Sequence, residues 1–350
     1  MRRYEKADEQ RVFELWKAVY PERVYENRDW TRWWRGTWRK NPTGAGWMWV
    51  AEDDGHIVGQ YRATCMEIKV GNKVVKAIQG VDSLTHPNYR RQGINLTLMR
   101  HVIEDARAAG FGIAIAFPAH ASASYSGHVK QGWSPIGRMR NLFKPLNWRR
   151  LVSERIKIRW LAAPLAACAD LLFSKVLFRT RDHTVVKDLC VKEVDSFDDR
   201  VNELWRRVFD RYTVMVVRNQ RYLNWRYPSR EYNYRKFIAE KDNEIAGYIV
   251  TRDDGGVVHI CDLIAESEDV VQNLVSKVVE ISQYVGANVV ICPLFGGKAY
   301  RQALKRTGFV SAPWFRSYMI VARLISGYAQ EDVLRDRDSW LVQLGDSDTV

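Results

Sequence analysis

The residues with the clearest chemistry form one short basic run behind a predicted strand. Arg90 and Arg91 are followed by Gln92 and Gly93, and apolar residues then recur at helical spacing. The first turn of a helix leaves backbone N–H groups unpaired and carries the positive end of the helix dipole. Glycine lets the main chain approach an anion closely, and arginines add charge. The run therefore predicts a cradle for a phosphate or pyrophosphate.

Secondary-structure elements on both sides must hold this cradle in place. Residues 81–85 read as the end of a strand that Pro87 interrupts, and residues 95–109 read as a helix that ends at Gly110. A strand over 112–117 and a short helix over about 122–131 follow. Ahead of the cradle, the sequence predicts helices over 7–19 and 29–39 and strands over 46–52, 56–61, 65–70 and 73–78.

The cradle resembles the acetyl-CoA-binding motif of the GCN5-related N-acetyltransferases, usually written Q/R-x-x-G-x-G/A after a strand with a His/Pro-type turn. Here the motif reads Arg90-x-x-Gly93-x-Asn95, with Asn95 where a small residue is usual. The order of predicted elements over residues 1 to about 145 is also similar to that family. The resemblance implies a mixed α/β fold and acetyl-CoA as co-substrate.

The resemblance further implies where the donor lies. Its pyrophosphate would sit on the N–H groups from Arg91 to Leu96, and its pantetheine arm would add like a strand along Leu84 and Thr85. Transfer to an amine would be direct, without a covalent enzyme intermediate. The predicted cofactor-binding residues are Leu84, Thr85, Arg90, Arg91, Gln92, Gly93, Ile94, Asn95 and Leu96.

The pattern then repeats, which indicates an internal duplication. Residues 237–250 echo 49–62, but residues 265–269, where the second cradle belongs, read Ala-Glu-Ser-Glu-Asp. Three carboxylates without glycine or arginine repel a pyrophosphate. We expect two tandem acyl-CoA N-acyltransferase-like domains, of which the second is degenerate. The expected boundaries are 1–147 for the first domain, 148–182 for a basic helical linker, 183–326 for the second domain and 327–350 for a tail.

Candidate catalytic residues follow from the resemblance. Asp82 is the first choice for the base, because a carboxylate two residues before Leu84 faces the same side of the strand; its alternative role is to satisfy backbone groups where the strands splay. Glu67 with a water chain is a further candidate base, and so is His86, although its place in the turn before Pro87 favours a structural role. The family often places a tyrosine four residues before the glycine of a Gly-aromatic pair. That position is His128, with Tyr125 one helical turn earlier. Either side chain could protonate the leaving thiolate, or pack against the cofactor.

Aromatic residues dominate the expected acceptor side. The chain has fourteen tryptophans and sixteen tyrosines, and Trp34 and Trp225 lie in helices that usually frame the acceptor in this fold. Aromatic faces suit sugars, and Asp346 and Asp348 could hold an ammonium group; core packing is the alternative for most rings. Tandem acetyltransferases of this kind often accompany bacterial surface-polysaccharide synthesis, so the resemblance implies an amino sugar.

Composition limits the partners and the compartment. With 350 residues, 46% hydrophobic and 27% charged, the chain suits two globular domains. Its net charge of +13 attracts CoA phosphates, nucleic acid or an anionic membrane. No nucleic-acid recognition motif is present, so we expect no such partner. Five scattered cysteines without C-x-x-C spacing argue against a disulfide framework or a metal site and favour the cytoplasm.

A membrane role has one candidate segment. Residues 160–178 are apolar, but Pro164, Asp170 and Lys175 interrupt them, and the N-terminus has no apolar signal sequence. The basic segment 148–181 could lie on anionic lipid as a peripheral anchor, although a linker packed on both domains is the favoured interpretation.

The sequence therefore predicts an acetyl-CoA-dependent N-acetyltransferase. Two alternatives stay open: a tandem Fem-type aminoacyl transferase that uses charged tRNA, and a non-catalytic protein that binds acyl-CoA or a membrane surface.

Overall fold

The computed structural model describes residues 1–22, 40–147, 150, 188–228, 233–311, 317–327, 332, 334 and 336–347. The predicted helix over 29–39 and, apart from Arg150, the predicted linker over 148–182 lie outside the described residues.

The described chain contains both strands and helices. The strands are β1 Arg2–Arg3, β2 Trp47–Asp53, β3 His56–Val70, β4 Lys73–Thr85, β5 Ile113–Ala116, β6 Ser134–Arg138, β7 Arg140–Pro145, β8 Cys190–Val194, β9 Val214–Val216, β10 Tyr234–Lys241, β11 Glu244–Asp253, β12 Val257–Ala265, β13 Val289–Gly296, β14 Val310–Ser311, β15 Met319–Leu324 and β16 Leu341–Gln343. The α-helices are α1 Glu9–Val19, α2 Ile94–Ala108, α3 Ala123–Lys130, α4 Arg200–Val208, α5 Gln220–Arg226, α6 Glu268–Tyr284 and α7 Lys298–Arg306. Short 3-10 turns cover Lys6–Asp8, Pro87–Tyr89, Phe209–Arg211, Arg337–Ser339 and Leu344–Asp346.

The strands form two mixed sheets. The first has the order β1-β2-β3-β4-β5-β15-β6, with β9 paired to β3, and the second has the order β14-β7-β13-β12-β11-β10-β8, with β16 paired to β13. Among the described strands, each sheet has one parallel pair, and it joins the strands before and after a long helix: β4 with β5 and β12 with β13. The expected mixed α/β fold, with two mixed sheets, is confirmed.

The two halves share the register of their opening hairpins. Ala51 pairs with Gly59 between β2 and β3, and Ala239 pairs with Gly247 between β10 and β11. In both ladders the register shifts directly after that alanine. The same irregularity at the same place supports the duplication that the sequence echo indicates.

Each sheet includes strands from the other half of the sequence: the first takes β9 and β15, and the second takes β7. β15 lies between β5 and β6 in the first sheet, and β7 lies between β14 and β13 in the second. The chain accordingly forms two compact units. The first unit is Met1–Arg138, Thr213–Val217 and Tyr318–Ser339, and the second unit is Met139–Tyr212, Arg218–Ser317 and Trp340–Val350. These interleaved units differ from the consecutive boundaries expected at 147, 183 and 326, because strand pairing across the sequence decides which sheet a segment joins.

The two faces of the first sheet are covered by different helices. α2 packs its apolar stripe, which includes Leu98 and Val102, on a cluster that contains Tyr61 and Ala63 of β3. On the other face α1 buries Phe13 and Trp16 in a cluster with Leu84 of β4. Strand alternation therefore assigns neighbouring residues of β3 to opposite environments.

Candidate active site

The predicted cradle is the connection between β4 and α2. His86 opens it as the cap of the Pro87–Tyr89 turn, and its Nδ1 accepts a 3.3 Å hydrogen bond from the N–H of Asn88. Arg90 and Arg91 are exposed, and Arg90 Nε lies 3.4 Å from the carbonyl oxygen of Thr85. The connection thus presents two cationic side chains beside the end of a strand.

Gly93 ends the connection in a conformation that suits an anion site. Its φ is +78°, and no atom lies within 4 Å of the position that a Cβ would take. In the described part of the chain no side chain caps the N-terminus of α2 at this glycine. The first-turn N–H groups of Ile94, Asn95 and Leu96 have no partner within the helix, so an anion bound at Gly93 would complete the helix end.

Asn95, the departure from the usual motif, has a structural use. Its side-chain Nδ2 donates to Ser83 Oγ and so ties the start of α2 to β4. Ile94 packs close to β3, where a Cβ on Gly59 would lie 2.6 Å from Ile94 Cγ2. Asn95 and Ile94 thus fix the start of the helix against the sheet, and the side chain of Asn95 contacts the strand β4.

β4 and β5 separate beside the cradle. Their ladder ends at the pair Gly80 and Ala116, so the last residues of β4 have no strand partner on that edge among the described residues. Leu84 and Thr85 belong to this edge, and on the other side they pair with Gln60 and Gly59 of β3. An unpaired strand edge can accept an extended arm by main-chain hydrogen bonds.

A β-bulge marks the point of separation. Val81 pairs with Arg62 and Leu84 pairs with Gln60, so two residues of β4, Asp82 and Ser83, oppose one residue of β3. Asp82 has φ +47°, a left-handed conformation that aspartate tolerates better than most residues. The bulge turns the strand where the cleft begins.

Asp82 is buried and forms an ion pair with Arg62 of β3. Burial raises the pKa of the Asp82 carboxyl, and the Arg62 guanidinium acts against that shift. Gln60 adds a third contact, because its Nε2 donates to the Asp82 carbonyl oxygen at 3.0 Å. Sequence reasoning missed Arg62 and Gln60, although polar residues inside a mostly buried strand were the available signal.

His128 is held in a buried hydrogen-bonded pair. Its Nδ1 lies 2.7 Å from the carbonyl oxygen of Ser124, which only accepts, so Nδ1 carries the proton. Its Nε2 lies 3.3 Å from Tyr61 Oη and accepts that hydroxyl in the neutral ring. Burial lowers the His128 pKa, which favours this neutral form. Tyr125 is half-buried on the same helix and packs against the α2 core.

The second unit lacks the corresponding cradle. β12 ends at Ala265 and α6 begins at Glu268, so two residues replace the long connection of the first unit. Ser267 caps α6 by accepting from the N–H of Val270, and Glu266 and Glu268 pair with Arg207 and Arg306 respectively. These two carboxylates are thus engaged within the protein.

The segment 341–346 occupies the strand separation of the second unit. β12 and β13 part after the pair His259 and Ile291. Leu294 of β13 pairs with Arg140 of β7 on one edge, so its pairing with Gln343 of β16 uses the other edge, on the β12 side. Gln343 Nε2 also donates to the Leu263 carbonyl oxygen of β12 at 2.9 Å. β16 therefore bridges the two parted strands.

Asp346 anchors this segment and is not available to a substrate amine as predicted. It is 1% exposed, and both of its carboxylate oxygens accept from Arg218 Nη2 at 2.8 and 2.9 Å. Arg218 also contacts Asp262 of β12 at 2.9 Å. A buried carboxylate in this tail needs an internal cation, and Arg218 supplies it.

The other predicted acceptor residues divide into two groups. Trp225 lies half-buried on α5 in the second unit, with its ring centroid 5.7 Å from that of Tyr222. Trp34 and Asp348 lie outside the described residues. Among the described residues, no three His, Cys, Asp or Glu side chains gather in a way that could hold a metal ion. No described helix has the length and apolar character needed to cross a membrane.

Comparison with known proteins shows a family match over part of the chain. Residues 1–136 match the profile of the family described as acetyltransferase (GNAT) domain. No curated protein matches the sequence significantly.

Solved structures resemble nearly the whole chain. A GCN5-related N-acetyltransferase from Anabaena variabilis has a TM-score of 0.65 at 11% identity, over 93% of this chain and 72% of that one. A conserved protein of unknown function from Enterococcus faecalis, described as a probable N-acyltransferase, has a TM-score of 0.62 at 12% identity, over 93% of this chain and 71% of that one. A GCN5-related N-acetyltransferase from Kribbella flavida has a TM-score of 0.61 at 15% identity, over 92% of this chain and 69% of that one. Residues 1–136 are thus similar to a GNAT acetyltransferase domain, and the chain has the fold of these structures.

Proposed function

We propose that this protein is an acetyl-CoA-dependent N-acetyltransferase that transfers the acetyl group directly to an amine and binds one acetyl-CoA per chain, in the first unit. The observation that carries the proposal is the start of α2: an uncapped helix end behind Gly93, flanked by Arg90 and Arg91, beside the open edge of β4. These residues fit a pyrophosphate followed by an extended arm.

Each part of the cradle has a proposed task. The N–H groups of Ile94, Asn95 and Leu96 and the two arginines hold the pyrophosphate, while Gln92 lines the same loop. The free edge at Leu84 and Thr85 pairs with the pantetheine arm. Acetyl-CoA supplies the activated thioester, and a backbone N–H of this edge stabilises the oxyanion that forms during transfer.

Proton transfer is assigned to two side chains. Asp82 lies in the bulge next to the free edge and is the proposed base for the amine, with Arg62 holding its carboxylate in place. Tyr125 is the proposed acid for the thiolate. His128 is a positioning residue in this scheme, because its Nε2 accepts from Tyr61 and has no proton to give in the neutral ring.

The second unit is proposed to bind no CoA. Its α6 is capped by Ser267, and residues 341–346 lie in the gap between its parted strands. A pantetheine arm would have to displace Gln343 from the Leu263 carbonyl and break the buried contacts of Asp346.

Gly93→Ala tests the proposal, with Gly110→Ala as the matched control. Both glycines have φ near +77° and open space around a Cβ, so both substitutions add the same backbone strain, about 1–2 kcal/mol. Only the Gly93 methyl group would stand in the anion cradle. Calorimetric titration should show at least a tenfold weaker acetyl-CoA affinity for Gly93→Ala and an unchanged affinity for Gly110→Ala. Equal affinities in the two variants would contradict the placement of the donor.

A further inference from the structure

The hydroxyl group of Tyr61 lies where β4 and β5 separate. A Cβ on Gly80 would lie 2.1 Å from Tyr61 Oη, closer than real Cβ atoms approach other atoms. Gly80 pairs with Ala116, and this is the last pair of the β4–β5 ladder. Gly80 does not have a positive φ, so the close approach of Tyr61, and not the backbone conformation, requires glycine here. The hydroxyl therefore lies over the last paired residue before the open edge of β4.

Tyr61 holds His128 of α3 in place. Its hydroxyl donates to His128 Nε2 at 3.3 Å, and His128 Nδ1 donates to the carbonyl oxygen of Ser124 at 2.7 Å. The ring of Trp133 meets the imidazole edge-on, with the ring centroids 4.7 Å apart. Two hydrogen bonds and this ring contact fix the imidazole in one orientation. We call Gly80, Tyr61 and His128 the tyrosine anchor.

The tyrosine anchor fixes α3 on the sheet. Of the eight residues Ala123–Lys130, all of which the structure describes, His128 alone is buried. A helix this short is marginal by itself, so contacts with the rest of the protein determine its position. Tyr125 lies three residues before His128, on the same face of the helix. The bond that holds His128 therefore also sets the position of Tyr125.

The second unit has a leucine where the first has His128. The N–H of Trp133 donates to the His128 carbonyl oxygen at 3.2 Å, and the N–H of Phe309 donates to the Leu304 carbonyl oxygen at 3.0 Å. Each bond closes the helix that follows the second strand of the parallel pair, so Leu304 corresponds to His128. Leu304 is 0% exposed. The second unit thus buries an apolar side chain at this place.

Apolar residues also replace the other two members of the tyrosine anchor. Tyr61 and Ile249 each lie two residues after the hairpin glycine that pairs with alanine. Gly80 and Ile260 each pair with the residue two positions further along that strand. Ile249 and Ile260 are both buried. The unit without a cradle fills these positions with hydrocarbon, so packing alone does not explain a buried hydrogen-bonded pair in the unit that has one.

We infer that Tyr61 is a positioning residue for the proposed acid: acting through His128, its hydroxyl fixes α3 where β4 and β5 separate and so places Tyr125 beside the thioester of the donor. The inference rests on the proposed function and adds a residue that no motif indicates. Three residues before Leu304 the second unit has Arg301. The tyrosine acid and the tyrosine anchor are therefore present together in the first unit and missing together in the second.

Tyr61→Phe tests the inference in the full-length protein, because it keeps the ring and removes the hydroxyl. Free CoA released from acetyl-CoA is measured with glucosamine and with water alone as acceptor, since the thiolate leaves in both reactions. We expect kcat to fall about tenfold, because a small displacement of the acid slows proton transfer, and the calorimetric acetyl-CoA affinity to stay within about twofold. Tyr284→Phe, the same change at a tyrosine that is 92% exposed, is the matched control and should leave both unchanged.

The Tyr125→Phe background separates positioning from an independent role. If Tyr61 acts through Tyr125, Tyr61→Phe causes no further loss of kcat once the Tyr125 hydroxyl is gone. An equal loss of kcat in both backgrounds would overturn the inference, because Tyr61 would then act independently of the acid. A Tyr61→Phe variant with the kcat of wild type, or one that loses as much acetyl-CoA affinity as kcat, would overturn it as well.

The double variant Tyr61→Phe with His128→Leu gives a readout that does not depend on turnover. Tyr61→Phe alone leaves His128 Nε2 buried without its donor, so it should unfold at a lower urea concentration than wild type. The double variant makes both positions apolar, as in the second unit, and should recover most of that stability while kcat stays low. Recovery of kcat together with stability would assign the anchor a structural role only, and a double variant that recovers no stability would contradict the pairing.

Failure of the proposed function has a different signature. Acetyl-CoA binding that is indifferent to Gly93→Ala would contradict the donor site itself. A wild type whose acetyl-CoA binding depends on Gly93, but which releases CoA to neither acceptor, would overturn the positioning of an acid and leave the donor site intact.

Discussion

Asp82 and Asp262 occupy equivalent positions in the two sheets. In the first sheet Thr85 pairs with Gly59, and Asp82 lies three residues before Thr85. In the second sheet Ala265 pairs with Gly247, and Asp262 lies three residues before Ala265. Each is buried and has an arginine partner, Arg62 in the first unit and Arg218 in the second. The second unit keeps this carboxylate without a cradle, so burial at the strand irregularity is one reason for an aspartate here, and the catalytic role that we propose for Asp82 is a separate one.

The two roles of Asp82 can be separated by substitution. Asp82→Asn keeps a residue that tolerates positive φ but leaves the Arg62 charge buried without its partner, and should cost about 3–5 kcal/mol of unfolding free energy. The double variant Arg62→Met with Asp82→Asn should recover most of that stability in urea unfolding. If Asp82 is the base, kcat stays at least tenfold below wild type in the recovered double variant. Recovery of kcat together with stability would assign Asp82 a structural role.

Tyr125→Phe should reduce turnover without weakening donor binding. The proposed acid loses its proton while the ring that packs against the α2 core remains. We expect kcat to fall about 100-fold, within the range typical of general acids, and the acetyl-CoA affinity from calorimetry to stay within twofold. A larger loss of affinity than of kcat would show that Tyr125 holds the cofactor instead.

His128 should make stability sensitive to mild acid. Because burial lowers the His128 pKa in the folded protein, the unfolded chain takes up the proton more readily, and protonation favours unfolding. The contribution of His128 to the free energy of unfolding is complete above the pKa of the unfolded chain, about 6.5, and it is lost as the pH falls towards the pKa of the folded protein. Urea unfolding at pH 7.5 and pH 5.5 should show a larger loss for wild type than for His128→Gln. An equal loss in both proteins would contradict this assignment.

Gly345→Ala should disturb the tail of the second unit selectively. A Cβ at Gly345 would lie 1.8 Å from Tyr227 Oη and 2.9 Å from the Cys261 carbonyl oxygen, so the segment must shift. We expect a loss of about 1–3 kcal/mol in unfolding free energy, as for other overpacked sites. Gly327→Ala, with nothing within 4 Å of its Cβ, is the control. Acetyl-CoA affinity should be unchanged in both, and a change in Gly345→Ala would argue for a donor site in the second unit.

Local signals were enough to predict the cradle and the repeated hairpins. Pro87, Gly93 and the apolar spacing after it specify a strand, a turn and a helix within about twenty residues. The Asp54 and Gly55 turn, with φ of +44° and +76°, likewise specifies the β2–β3 hairpin. By contrast, β3 runs unbroken from His56 to Val70, where sequence spacing predicts two strands. β3 pairs with β4 over the whole length of β4, and this pairing keeps β3 continuous despite the polar residues in its middle.

Long-range partners were beyond local reasoning. Asp346 reads as an exposed acid near a terminus, yet Arg218, which stands 128 residues earlier, buries it. His128 matches a catalytic spacing, but its environment depends on Tyr61, which is 67 residues away. In both cases the side chain is of the predicted type, and the partner that decides its charge and exposure comes from a distant segment.

The placement of β15 has a consequence for synthesis of the chain. β5 and β6 leave the ribosome early, but β15, which lies between them, follows only after most of the second half has been made. At about 5–20 residues per second, the nascent first sheet waits roughly 10 to 40 s with an incomplete edge. Unpaired strand edges are sites of aggregation. Chains that stall before residue 324 should therefore depend on chaperones, and the N-terminal half alone is a poor choice for expression.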